Sequence, residues 1–100
     1  MASQPATLLI VDDEIQVRKL LETLLRHEGY QTVSAASGEE ALRLVAQRPP
    51  DLILLDIMMP GMDGYEVANQ LKGSPATANI PIIMLSAGSN PAAAAPPAAR

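Results

Sequence analysis

Three short apolar runs, each closed abruptly by an oxygen-bearing side chain, constrain this chain more than any other feature. Thr7-Leu8-Leu9-Ile10-Val11 stops at Asp12-Asp13-Glu14, Leu52-Ile53-Leu54-Leu55 stops at Asp56, and Ile82-Ile83-Met84-Leu85 stops at Ser86. None alternates with polar residues, which is the mark of a strand buried on both faces and ending where the chain emerges into water. Between them the spacing turns helical. From Ile15 to Glu28 the residues Ile15, Val17, Leu20, Leu21, Leu24 and Leu25 recur on one side, with Arg18, Lys19, Glu22 and Arg26 forming a wet face and Gly29 as the stop. Gln31 to Ala35 reads as a further strand. Ser37 with Glu40 reads as a capping box that opens a helix carrying Ala41, Leu42 and Val45, ended by Pro49-Pro50. Asp63 and Glu66 cap a third helix that runs to about Lys72 and breaks at Gly73-Ser74-Pro75. The order β-α-β-α-β-α-β predicts an α/β fold: a doubly wound parallel sheet with right-handed crossovers and helices on both faces.

Composition excludes several function classes. With no Cys, the chain of 100 residues has no disulfide, thiolate metal site or cysteine nucleophile. A net charge of −4 and the lack of a basic run argue against a nucleic-acid binder, since phosphate neutralisation supplies most of that affinity. Two Tyr and no Trp or Phe leave little for base stacking. No apolar run approaches the roughly 20 residues of a membrane span, and the first residues lack a signal-peptide pattern, so a cytoplasmic protein without nucleic-acid or membrane partners is expected. No Gly-x-Gly-x-x-Gly or Walker lysine is present, which disfavours a nucleotide site.

In a parallel sheet all strands end at one rim, where ligands bind. Asp12, Asp13, Asp56 and Ser86 therefore converge from distant parts of the sequence. Clustered carboxylates repel and raise one another's pKa unless a cation joins them, and oxygen ligands suit a hard divalent ion, best Mg²⁺. Acids after strands also serve as plain helix caps, and Asp13 is expected to act as one as well. His27, alone near the end of the first helix, reads as a structural residue that suits the helix dipole. Met58, Met59 and Met62 read as core and loop packing, and Gly61 and Gly64 as turn residues.

Val11-Asp12-Asp13-Glu14, the run from Pro50 through Asp56 to Met58-Met59-Pro60-Gly61-Met62-Asp63-Gly64, and Ile80-Pro81-Ile82-Ile83-Met84-Leu85-Ser86-Ala87 together resemble the receiver domains of two-component response regulators. The resemblance covers residues 7–87. It implies a flavodoxin-like fold with strand order 2-1-3-4. It also implies that Asp56 is the phospho-acceptor, charged by a sensor histidine kinase or a small donor such as acetyl phosphate. Mg²⁺ would be held by Asp13 directly, Asp12 largely through water, Asp56, and the backbone carbonyl of Met58. Ser86 would donate its hydroxyl to the phosphoryl group, beside a small Ala87. Such a module is no enzyme beyond its own phosphorylation and dephosphorylation.

Against the family pattern, the fourth helix, the fifth strand with its Lys, and the fifth helix are missing. Lys19 and Lys72, the two lysines, stand in neither place. The expected organisation is an N-terminal tail over 1–6, a truncated receiver over 7–87, and an Ala/Pro-rich disordered tail over 88–100. Seven Ala and three Pro stand among residues 87–100. A frameshifted gene is the favoured origin of that tail; a genuine truncated receiver and a chain cut before an effector domain stay open. Without the fifth strand, the fourth becomes an apolar edge open to self-association, and the sheet face that carries the first helix is left half bare. Switching is expected to be impaired. Two other classes are carried: an inert or partner-completed fragment that works only through protein–protein contact, and a Mg²⁺ phosphatase, which lacks its Asp-x-Asp pattern and base.

Overall fold

The computed structural model describes residues 4–85. Seven elements follow in order: β1 (Thr7–Val11), α1 (Ile15–His27), β2 (Gln31–Ala35), α2 (Gly38–Gln47), β3 (Leu52–Asp56), α3 (Gly64–Lys72) and β4 (Ile82–Leu85). Among the described residues the strands make one parallel sheet in the order β2-β1-β3-β4, the doubly wound, flavodoxin-like arrangement expected, which ends at β4. The Ser86 hydroxyl, Ala87 and the 88–100 tail lie outside the described residues. None of the described helices is long and apolar enough to cross a membrane.

The two sheet faces differ. On one, Leu9, Val11, Ala35, Ile53 and Leu55 meet Ala41 and Val45 of α2 and Val67 and Leu71 of α3 in a single buried cluster. Each large aliphatic side chain buried this fully contributes about 1.5–3 kcal/mol. Among the described residues, the other face carries α1, packed mainly over β1 and β2. Register aligns Ser34, Ile10, Leu54 and Ile83 in one row across it. Exposure climbs along that row from 0% at Ile10 through a half-buried Leu54 to 49% at Ile83. β4 therefore corrects the expectation of a strand buried on both faces: it is apolar throughout, yet one face of it is open.

No residue of α1 is buried, and Leu20 and Leu24 are 59% and 53% exposed. Polar latches help to tie the helix to β2. Ser34 donates to the Glu22 carboxylate, and Arg26 Nε donates to Thr32 Oγ1 at 3.0 Å. At the start of the sheet, the Thr7 amide donates to Asp51 Oδ2 at 2.7 Å while the Asp51 amide donates to the Thr7 carbonyl at 2.8 Å, which pins β1 to β3.

The caps are partly as read. Asp63 and Glu66 form a complete capping box on α3. Ser37 accepts from the Glu40 amide, but Glu40 reaches past Ser37 to accept from the Ala36 amide at 2.8 Å, so the α2 box is opened by one residue. Gly29 takes φ 94° just beyond α1, as its stop position demands.

Candidate functional site

Parallel pairing brings the ends of β1 and β3 side by side, since Val11 stands opposite Leu55. The acid that follows each strand is thereby delivered to one rim. Carboxylate oxygens of Asp12, Asp13 and Asp56 lie within 4.8 Å of one another. Asp12 and Asp56 are buried, at 6% and 8% exposure, while Asp13 is exposed and gives the cluster an open side. The donors are oxygen only, the chemistry of a hard divalent cation.

Asp12 has two local tasks. Its Oδ1 accepts from the Glu14 amide at 2.8 Å, and its carbonyl accepts from Arg18 Nη1 at 2.7 Å. The expectation that Asp13 caps α1 is thereby corrected. Glu14 is the N-cap, it makes no side-chain cap bond, and the acid that turns the chain is Asp12. This leaves Asp13 without a helix-capping bond. Arg18 was missed as a site residue because its position in the helical repeat put it on the wet face; it is half-buried and braces the β1–α1 corner. The signal was weak: a lone Arg one turn into the helix, close enough to return to the strand end.

Burial holds the Asp56 carboxyl above its ordinary value, and the negative charge of Asp12 pushes it further the same way. The Met58 amide, donating to Asp56 Oδ1 at 3.3 Å, opposes that rise, while Asp13 and Glu14 add to it. This is the electrostatic signature of carboxylates gathered in excess of their neutralising charge. Met58 itself corrects a reading: its side chain is 64% exposed and does not pack, whereas Met59 is buried and Met62 packs against the core.

The loop behind Asp56 is fixed from below. Gly61 has φ 76°, the left-handed turn expected of it. Gly64 has a different reason to be glycine. A Cβ there would collide with the Asp56 carbonyl oxygen and come within 2.9 Å of the Ile57 Cα, so the start of α3 lies directly against the backbone at the end of β3. The Gly64 amide donates to the Ile57 carbonyl at 3.0 Å and seals that contact.

Among the described residues, no hydrogen bond or ion pair joins either lysine to the acid cluster. Lys72 Nζ donates to the Ala78 and Ile80 carbonyls before β4, and Lys19 is exposed on α1. A groove of about 630 Å³ lies elsewhere, around the start of β2 and the end of α2 between Val33, Leu44, Val45, Arg48 and Pro50, and shares no residue with the acid cluster.

Comparison with known proteins bears on this arrangement. The family model for the response regulator receiver domain matches residues 8–96. Among curated relatives, the probable transcriptional regulator ycf27 of Cyanophora paradoxa is 50% identical over 80 residues, which are 80% of this chain and 32% of that protein. The chain thus spans about a third of the length of such relatives. Among solved structures, the N-terminal domain of a response regulator receiver protein from Methanoculleus marisnigri JR1 superposes with a TM-score of 0.81 at 44% identity, covering 89% of this chain and 73% of that one. The response regulator protein TrrA from Thermotoga maritima, solved in complex with Mg(2+)-BeF, gives 0.78 at 42% identity over 84% of this chain and 71% of that one. Family match, strand order and the acid-lined rim agree, and this chain belongs to the receiver domains of two-component response regulators.

Proposed function

We propose that this domain accepts a phosphoryl group on Asp56 from a histidine kinase, in a reaction that requires Mg²⁺. The observation that carries the reading is the meeting of Asp12, Asp13 and Asp56 within 4.8 Å on a rim that Asp13 leaves open to solvent. Their oxygen-only chemistry fits Mg²⁺, and the TrrA structure, with its Mg(2+)-BeF, supports the choice of ion. Asp13 and Asp56 would hold the ion directly, with the carbonyl of Met58 as a further oxygen and Asp12 acting largely through water. When bound, the ion supplies positive charge that lets an anionic phosphoryl donor approach a carboxylate.

The chain's own residues do the rest. Asp56 is the nucleophile: a carboxylate oxygen attacks phosphorus, and the donor leaves with the bonding electrons. The Met58 amide orients one Asp56 oxygen, so that the other is presented to the donor. Arg18 and the Glu14 amide fix Asp12 at the adjacent corner. Ser86, next after β4, would donate its hydroxyl to the phosphoryl group. The domain is then a partner in phosphotransfer and not a multiple-turnover enzyme.

Incubation with acetyl phosphate and Mg²⁺, followed by intact mass measurement, tests the reading. The mass should rise by one phosphoryl group, chelation of the metal should prevent the rise, and Asp56→Asn should abolish it. A folded sample that gains no adduct, or an Asp56→Asn variant that gains one, would refute the assignment.

A further inference from the structure

We infer that Arg18 is a positioning residue for Asp13, setting the direction from which that acid reaches a divalent cation; the inference rests on the reading of the acid cluster as a Mg²⁺ site. Asp13 is the one exposed member of the cluster. Among the described residues, neither its amide nor its carboxylate has a hydrogen-bond partner. Its neighbours are held firmly. The Asp12 amide donates to the Ala35 carbonyl at 3.1 Å, and Asp12 Oδ1 accepts from the Glu14 amide at 2.8 Å. Asp13 therefore takes its place from the peptide groups on either side of it.

One residue holds both sides. Arg18 Nη1 donates to the Asp12 carbonyl at 2.7 Å, and the Arg18 amide donates to the Glu14 carbonyl at 3.1 Å. The Asp12 carbonyl and the Asp13 amide belong to one planar unit, so holding the first fixes the plane from which the Asp13 Cα departs. The bond from the Arg18 amide is the ordinary helical one and would survive a change of side chain. The bond from the guanidinium would not. It is half-buried and has a charged donor, which makes it one of the stronger hydrogen bonds of this corner.

The partner that the guanidinium takes separates positioning from charge neutralisation. Arg18 stands beside the acid-bearing end of β1, yet among the described residues the only ion pair is Arg26–Glu22. Arg18 thus spends its N–H on a backbone carbonyl and pairs with no carboxylate. Were its charge what mattered, it would compete with a cation for the acids, and its removal would tighten Mg²⁺. A group that orients a metal ligand does the opposite: its loss weakens the metal, by about 10–100-fold. The two roles predict opposite signs for one substitution.

Calorimetric titration of the 100-residue chain with MgCl₂ is the test, with folding checked by circular dichroism at the same temperature. Arg18→Met keeps an apolar stem, removes donor and charge together, and should weaken Mg²⁺ by about tenfold or more. Arg18→Lys keeps the charge and one N–H donor but not the planar fork, so its affinity should fall between that of Arg18→Met and the wild type. Because the charge is kept, that loss reports geometry alone, and it carries the test even where Arg18→Met fails to fold. Lys19→Met, which removes the neighbouring exposed cation, should bind as the wild type does. Amide relaxation by NMR in metal-free buffer gives a second readout: order at Asp13 should fall in Arg18→Met and in Arg18→Lys, while Val11 in β1 keeps its own. With acetyl phosphate, both variants should need more Mg²⁺ for half-maximal adduct and reach the same plateau, since Asp56 is oriented separately by the Met58 amide. Wild-type or tighter binding by a folded Arg18 variant, unaltered order at Asp13, or an equal loss in Lys19→Met would overturn the inference. A folded wild-type chain that takes up no Mg²⁺, while Asp13 still loosens in the Arg18 variants, would instead overturn the reading of the cluster as a metal site.

Discussion

Asp56 stands where its charge is costly, and the cost has a sign that can be measured. Burial is the main cause, Asp12 the next, and both lift its pKa above the value of 3.8 that the unfolded chain follows. The folded state thus holds its proton to higher pH than the unfolded state does. Below about pH 3.8 no penalty exists; it grows as pH rises through the folded pKa and is then constant. Asp56→Asn should accordingly raise the melting temperature at pH 7 in metal-free buffer, with a gain that shrinks towards pH 4. Equal or lower melting at pH 7, or a gain that grows on acidification, would show that the cluster does not strain the fold. At this scale the sequence told which acids converge, because strand ends in a parallel sheet leave no choice. It did not tell their local duties. Whether Asp12 or Asp13 turns the chain into α1, and whether Arg18 folds back to the Asp12 carbonyl, depends on side-chain direction at a corner that periodicity does not encode.

Gly61 and Gly64 occupy one loop and separate two kinds of element constraint. Gly61 is needed for its φ of 76°, with open space around the position of a Cβ. Gly64 is needed because α3 begins against the backbone of β3. Gly64→Ala forces backbone apart from backbone, so a loss of about 1–3 kcal/mol is expected, the usual range for overpacking. That corresponds to melting lowered by very roughly 4–8 °C per kcal/mol for a domain of this size. Because the displaced atoms belong to Asp56 and Ile57, the yield of phosphoryl adduct should fall as well. Gly61→Ala, strained only in its own dihedral, should cost stability while leaving the yield in the folded fraction unchanged. Equal adduct yield from both variants would remove Gly64 from the positioning of Asp56. Capping was legible at α3, where Asp63 and Glu66 close the whole box. At α2 the same pattern produced a bond to Ala36, since the entering chain decides which amide lies within reach of Glu40.

Across the whole molecule, stability is divided unequally between the two sheet faces. The order of strands could be read from the runs and their sequence order. The openness of β4 could not be read from β4 itself, because Ile82-Ile83-Met84-Leu85 looks as buried as Leu52-Ile53-Leu54-Leu55 until its neighbours are counted. α1 is the element this imbalance exposes most. Its apolar side contributes half-buried Val17, Leu21 and Leu25 but no buried residue, and part of its attachment passes through Glu22 to Ser34 and Arg26 to Thr32. The Arg26–Glu22 pair, at 4.0 Å with Arg26 exposed, adds little, as surface ion pairs do. Helices with few buried contacts open below the global unfolding free energy. Amides of α1 should therefore exchange faster than those of β1 and β3, which carry the fully buried Ile10, Ile53 and Leu55. Ser34→Ala removes a hydrogen bond to a charged acceptor, worth about 1.5–3 kcal/mol. It should speed α1 exchange by about tenfold or more, since 1.4 kcal/mol is a factor of ten, with β3 amides slower than those of α1 throughout. Uniform exchange over α1 and β3, before and after the substitution, would mean that the molecule opens only as one unit and that the bare face carries no local weakness.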